Sequence, residues 1–208
     1  MIVETIVVGP LQVNCYLVGC EETREAAVID PGDDAERVLA GLKAADLKAV
    51  YIINTHEHFD HVGANKRIHD ATGAKILAHS ASADEITKIS SRALLWGMRA
   101  EDSPPVDREL GDGDLVEIGR SVTLKVLSTP GHSLGSISLV TEGAAFVGDL
   151  IFSGSIGRTD FPGGDYETLI RSVRDKIFPL GDDVVLYSGH GPATTVGRER
   201  ATNPFFVS

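Results

Sequence analysis

Cysteine is scarce in this chain. Cys15 and Cys20 are the two present in 208 residues, five positions apart on one apparent strand. That spacing puts them on opposite faces, so no disulfide is expected and a reducing cytoplasm fits. Long apolar runs are also missing: none approaches the roughly 20 residues of a membrane-spanning helix. The segment Met1–Gly19 is fairly apolar, but it lacks a basic start and is broken by Glu4, Gln12 and Asn14. It reads as strand and not as a secretory signal. Basic residues are in short supply, 19 against 30 acidic ones, for a net charge of −11. Phosphate contacts need Lys and Arg, so nucleic acid is a poor partner and an anionic membrane surface is disfavoured. A small-molecule substrate remains, with homo-oligomerisation left open.

A chain of this length buries roughly 70% of the surface its unfolded form exposes, enough for a core without staples. Strands rich in Val, Ile and Tyr are expected at Ile2–Val8, Val13–Val18, Ala26–Ile29, Ala49–Ile53 and Lys75–Ala78. A second series follows at Leu115–Ile118, Val122–Leu127, Ser136–Val140, Ala144–Val147 and Val184–Tyr187. Helical periodicity marks Asp34–Leu47, Gly63–Thr72 and Asp165–Phe178, and a helical excursion around Ser91–Arg99 lies in the irregular stretch Ser80–Asp114. No flexible linker interrupts the order, so residues 1–208 read as a single domain. Alternating strands and helices of this kind predict sheets with helices on their outer faces.

The chemistry is concentrated in Thr55-His56-Glu57-His58-Phe59-Asp60-His61, directly after the apolar strand Ala49–Ile53. Four metal-ligand residues fall within six positions there. Three more stand singly, each at the end of a predicted strand and beside glycine: His132 after Pro130-Gly131, Asp149 after Gly148, and His190 between Gly189 and Gly191. Glycine lets the backbone approach a neighbouring ligand closely. One tetrahedral site needs three or four ligands. Five His and two Asp suit two divalent ions sharing a carboxylate. Imidazole and carboxylate without thiolate favour zinc, with iron or manganese as alternatives. Such a pair holds a hydroxide at neutral pH, so the nucleophile would be solvent-derived and no Ser or Cys nucleophile is expected.

These motifs, in this order and spacing, resemble the metallo-β-lactamase superfamily over nearly the whole chain. Within it, the likeness is to short glyoxalase II-like (hydroxyacylglutathione hydrolase-like) enzymes, carried also by Ile156–Asp165, Thr195–Arg200 and Asn203-Pro204-Phe205. The resemblance implies an α/β fold, a four-layer αββα sandwich of two mixed sheets with the metals at one edge. It implies that His56, His58 and His132 bind the first ion, that Asp60, His61 and His190 bind the second, and that Asp149 bridges them. Asp60 and Asp149 would also be catalytic, positioning the hydroxide and relaying its proton. Asp30 resembles a residue that steadies a ligand; a plain turn after a strand explains it as well. The implied reaction is hydrolysis of a thioester or related small ester by the metal-bound hydroxide.

Departures from the family's branches narrow the substrate. Dizinc β-lactamases typically carry Cys or Ser where this chain has Asp149, which speaks against β-lactams. Glyoxalase II has a Tyr soon after its last metal-binding His and a longer C-terminal helical region. Here Gly191-Pro192-Ala193 follows His190, and eighteen residues remain, so glutathione as the thiol is not implied. Arg158 is either a clamp for a substrate carboxylate or an ion-pair partner of Asp160 or Asp165, the second slightly preferred. The alternative chemistry is a mononuclear iron persulfide dioxygenase on the same fold, its iron held by His56, His132 and Asp149. His69 is expected in solvent and His79 at a surface strand end. Trp96, with Leu94, Leu95 and Met98, is either a lip over the site or core, with core preferred.

Overall fold

Strand β2 (Val13–Gly19) is buried at every position, although its sequence alternates Cys15 and Leu17 with Tyr16 and Val18. A strand apolar on both faces must lie between two cores. The computed structural model, which describes residues 1–207, shows these cores. Cys15 and Leu17 face one cluster with Val28, Ile52 and Ile76; Tyr16 and Val18 face a second with Ile29, Ile53 and Leu77. The two cysteines therefore lie free on opposite faces, as their spacing requires.

The first sheet has the order β1 (Ile2–Val8), β2, β3 (Glu25–Ile29), β4 (Lys48–Ile53), β5 (Lys75–His79), β6 (Arg108–Leu110). From β1 to β3 the pairing is antiparallel, and from β3 to β6 parallel. Its outer face is covered by α1 (Ala35–Ala44) and α3 (Asn65–Thr72), which contribute Val38, Leu42 and Ile68 to the first cluster. Three short helices complete this half: α2 (Phe59–Val62), α4 (Ser80–Ala83) and α5 (Ile89–Leu95). Helix α1 stops before the predicted Leu47 because Asp46 turns left-handed, at φ 53°.

The second sheet comprises β7 (Leu115–Ile118), β8 (Val122–Ser128), β9 (Ile137–Thr141), β10 (Ala144–Gly148), β13 (Val185–Ser188) and β14 (Thr194–Thr195). Adjoining it is a hairpin of β11 (Ile151–Phe152) and β12 (Ser155–Ile156). Phe146 on β10 faces the inter-sheet cluster, while Ala145 and Val147 face a third cluster with Leu169, Ile170, Val173 and Val196. Those residues come from α6 (Tyr166–Ser172), the π-helical turn after it (Val173–Ile177) and α7 (Val196–Thr202). A strict four-residue apolar step drifts around a 3.6-residue helix; the wider turn keeps Leu169, Val173 and Ile177 in one buried row. Three cores in series separate four layers, αββα, with two six-stranded mixed sheets at the centre. Each fully buried Ile, Leu or Phe contributes about 1.5–3 kcal/mol, and truncating the fully buried Phe146 would cost roughly 3–5 kcal/mol.

Direction matters for function. Strands β3, β4 and β5 run parallel, so their C-terminal ends meet at one edge. In the other sheet β8 and β10 flank the antiparallel β9, and β13 is parallel to β10, so these three also end together. Cross-sheet bonds join the two edges. Ile137 N donates to Thr55 O at 2.8 Å, Asn14 N to Gly189 O at 2.7 Å, and Tyr16 Oη to Ser188 O at 2.5 Å.

Candidate metal centre

All the motif residues follow those strand ends. Asp30 follows β3, His56 to His61 follow β4, His132 follows β8, Asp149 follows β10 and His190 follows β13. The structure brings together all seven side chains singled out as ligands, in two groups of three with Asp149 between them.

His56, His58 and His132 form the first group. Nε2 of His56 lies 3.1 Å from Nδ1 of His58, and Nε2 of His132 lies 2.9 Å from the same atom. In His56 and His132 the opposite ring nitrogen is already engaged. Nδ1 of His132 donates to the Arg158 carbonyl at 2.7 Å. Thr55 Oγ1 donates to Asp30 at 2.6 Å, which leaves its lone pair to accept from His56 Nδ1 at 3.1 Å. A ring that donates from Nδ1 presents its Nε2 as an acceptor, so the Nε2 atoms of His56 and His132 converge on His58 Nδ1, which can donate to one of them. Burial, reinforced by the neighbouring imidazoles, holds His56 well below its usual range and pushes His58 down to about 4.

Asp60, His61 and His190 form the second group, and it is rich in carboxylate. Nε2 of His61 is 3.8 Å from Asp60 Oδ2 and 3.4 Å from Asp149 Oδ1; Nε2 of His190 is 3.5 Å from Asp60 Oδ2 and 3.6 Å from Asp149 Oδ2. Here too Nδ1 is tied back, in His190 to the Leu11 carbonyl at 3.0 Å and in His61 to Asp30 Oδ2 at 3.0 Å. Asp30 adopts φ 52°, which Asp tolerates better than most residues, and it also accepts from the Thr55 amide at 2.7 Å. Fully buried, Asp30 thus contacts His61 directly and reaches His56 through Thr55. Burial alone would lower His61 and His190, but the carboxylates of Asp149 and Asp60, joined at His61 by Asp30, outweigh it and raise both. Burial would likewise raise Asp149 and Asp60, yet the imidazoles hold both carboxyls below their usual range.

Asp149 also reaches the first group, with Oδ2 3.8 Å from His132 Nε2. Its Oδ1 and Nε2 of His61 are buried without a hydrogen-bond partner. A buried polar atom left bare costs about 1–3 kcal/mol, unless a cation occupies the space it faces. Gly189 explains its own presence: a Cβ there would stand 2.2 Å from Asp149 Oδ1 and 2.7 Å from His61 Cε1.

Sequence reasoning missed three features. Glu57, between two ligands, turns inward and accepts from Ser82 at 2.7 Å and Ser133 at 2.9 Å, tying α4 to the His132 loop. That loop, Gly131-His132-Ser133-Leu134-Gly135, also spells the serine-nucleophile pattern Gly-x-Ser-x-Gly. In such elbows the hydroxyl is exposed; here Ser133 is fully buried and bonded to Glu57. The third is Glu199, fully buried on α7 and bonded to Thr194, Gly154 and Asn203, which holds the hairpin after Asp149.

Around the mouth, the guanidinium of Arg158 is closed on Asp160, at 2.9 Å from Nε and 2.7 Å from Nη2, while Asp165 caps α6. Trp96 is half exposed and not core, because α5 packs on α2 with Ile89 and Ala93 and leaves Leu94, Leu95 and Trp96 outside. His69 is half-buried and bonded to the Ala74 carbonyl, so it is not free in solvent. His79 does end its strand, capping α4. A shallow cleft beside Asp60 is lined by Leu11, Phe59, Met98 and Arg99, among others.

The profile of the metallo-β-lactamase superfamily matches residues 8–190. Hydroxyacylglutathione hydrolase GloC of Haemophilus influenzae is 38% identical over 212 aligned positions, covering 100% of this chain and 99% of that protein. Among solved structures, BLEG-1 B3 metallo-β-lactamase superposes with a TM-score of 0.92 at 36% identity, over 100% of both chains. TTHA1623 in a di-iron-bound form gives 0.89 at 36% identity, over 97% of this chain and 99% of that one. ETHE1 from Myxococcus xanthus gives 0.82 at 28% identity, over 98% and 84%. Four layers, clustered His and Asp side chains at the strand ends of one edge and this span of likeness agree: the chain belongs to the metallo-β-lactamase superfamily.

Proposed function

We propose that this chain, one domain over residues 1–208, is a cytoplasmic dinuclear metallohydrolase that cleaves a thioester or related small ester. His56, His58 and His132 would hold one divalent ion, Asp60, His61 and His190 the other, and Asp149 both. Zinc suits the donor set best, with iron or manganese as alternatives. The observation that carries this reading is the position of Asp149, within 3.4–3.8 Å of three Nε2 atoms from both groups, with an unpartnered buried oxygen. When bound, such ions polarise a carbonyl and make hydroxide available at neutral pH.

The chain's own residues do the rest. Asp60 Oδ2, facing His190 at the cleft, orients the attacking water and takes its proton. Water adds to the acyl carbon, the C–S bond breaks, and the proton leaves with the thiol. Asp30 and the Arg158 and Leu11 carbonyls fix which nitrogen His61, His132 and His190 present, a role worth about 10–100-fold in metal affinity. Arg158 braces the mouth through Asp160 and is not needed as a clamp. A single-iron dioxygenase would use His56, His132 and Asp149 and leave Asp60, His61 and His190 without work, which favours the hydrolase.

One paired assay on metal-defined protein separates the readings. Thioester cleavage without oxygen, absent in Asp149→Ala, supports the proposal. Oxygen uptake with glutathione persulfide at one iron per chain would replace it, and a β-lactam belongs in the same panel because of the BLEG-1 likeness.

A further inference from the structure

Several apolar side chains at the mouth take no part in holding ions. Trp96, the chain's single tryptophan, is 55% exposed. Its ring stands 6.0 Å from Phe161, edge to face, and Phe161 stands 5.6 Å from His58 in the same manner. Phe161 is held in place from behind: the Arg158 guanidinium lies 4.2 Å from its ring centroid and is itself fixed by Asp160. Leu134, two residues after His132 and 68% exposed, lies over Gly163 on the same loop as Phe161. Large apolar groups left in water beside a polar centre mark a ligand surface.

We propose that Trp96, Phe161 and Leu134 form a subsite for an apolar, preferentially aromatic, arm of the substrate. The inference rests on the thioester reading and adds a substrate class to it. Continuity carries it, because Phe161 touches His58. An arm stacked on Phe161 is thus one short linkage from a carbonyl at the metal centre. The half-exposed Trp96 closes the far end.

The test compares phenylacetyl with acetyl thioesters of one small thiol, and benzyl with methyl thiol esters of one acid, so that acyl and thiol arms are told apart. The aromatic member of one pair is favoured about tenfold in kcat/KM, the worth of one stacked ring. Trp96→Ala brings that ratio to about one through KM, and Trp96→Phe restores most of it; a merely structural role would lower both substrates alike. Because Trp96 is the sole tryptophan, its fluorescence reports binding of phenylacetate or benzyl thiol without turnover. If no thioester is cleaved yet the fluorescence responds, the thioester reading fails and the subsite stands. If thioesters are cleaved with no aromatic preference and no fluorescence response, the subsite is overturned and the thioesterase stands. If Trp96→Ala changes the oligomeric mass and not the ratio, the strip is a contact between copies and the proposal is overturned.

Discussion

The two halves of the metal centre are built from different materials. The His56, His58 and His132 half holds imidazoles without a carboxylate of its own, two of them meeting the third at His58 Nδ1, and burial keeps His56 and His58 neutral. The Asp60, His61 and His190 half is a charge lattice in which carboxylates raise the imidazoles and imidazoles lower the carboxylates. The first half is neutral, its facing nitrogens meeting at His58 Nδ1. The second is compensated in charge, yet it holds the two buried atoms without a hydrogen-bond partner, His61 Nε2 and Asp149 Oδ1. The difference teaches that two ions held as proposed would not be equivalent, and that Asp149 is the one side chain standing between the two groups.

That comparison breaks most visibly at Asp149. Replacing it with alanine is expected to lower turnover by about 10³-fold and to reduce metal content below two per chain, with the fold retained by circular dichroism. Full activity in that variant would remove its bridging role. A sharper contrast comes from single deletions: His58→Ala and His190→Ala should each retain one ion by elemental analysis, from opposite halves. Unchanged metal content and activity in His58→Ala would undo the assignment of the first half. Next in size is Asp30→Asn, which disturbs the proton on His61 and should weaken the second ion about 10–100-fold, measured by chelator competition, with the first affected less.

Smaller effects lie behind the ligands. Glu57→Gln leaves two buried serine hydroxyls with a poorer acceptor and should cost roughly 1–3 kcal/mol in chemical denaturation of the metal-free protein. The smallest is a pH dependence with opposite signs in the two halves. His56 and His58 are lowered in the native state, so below the ordinary imidazole value of 6.5 the unfolded chain binds their protons more readily and stability falls with pH, levelling for His58 near 4. His61 and His190 are raised, so their contribution is present below 6.5 and lost as pH climbs through their native values. His58→Ala should therefore make the metal-free protein less acid-labile. A steeper loss of stability on acidification in that variant would contradict the account.

Much of this was legible because the ligands sit on strong signals. The long strands were visible from runs of Val and Ile, and glycine beside a strand-end His or Asp marked where side chains had to meet. The short pieces β6, β11, β12 and β14 were invisible, since two or three residues carry no periodicity and their pairing is set by neighbours. Helix α7 escaped for a related reason: its polar face hides Glu199, whose burial is satisfied only by Thr194, Gly154 and Asn203 from outside the helix. Glu57 was masked by its own motif, because a carboxylate between two ligands reads as one more ligand until Ser82 and Ser133 arrive from distant loops. Trp96 read as core on apolar character alone. Its exposure follows from which face of α5 meets α2, a tertiary fact.

The most direct measurement is an anomalous-scattering map of crystals grown from protein purified without chelator. Two peaks roughly 3.5–4 Å apart, one among His56, His58 and His132 and one among Asp60, His61 and His190, with Asp149 touching both, are the predicted result. A single peak bounded by His56, His132 and Asp149, with the second group bare, would contradict the account.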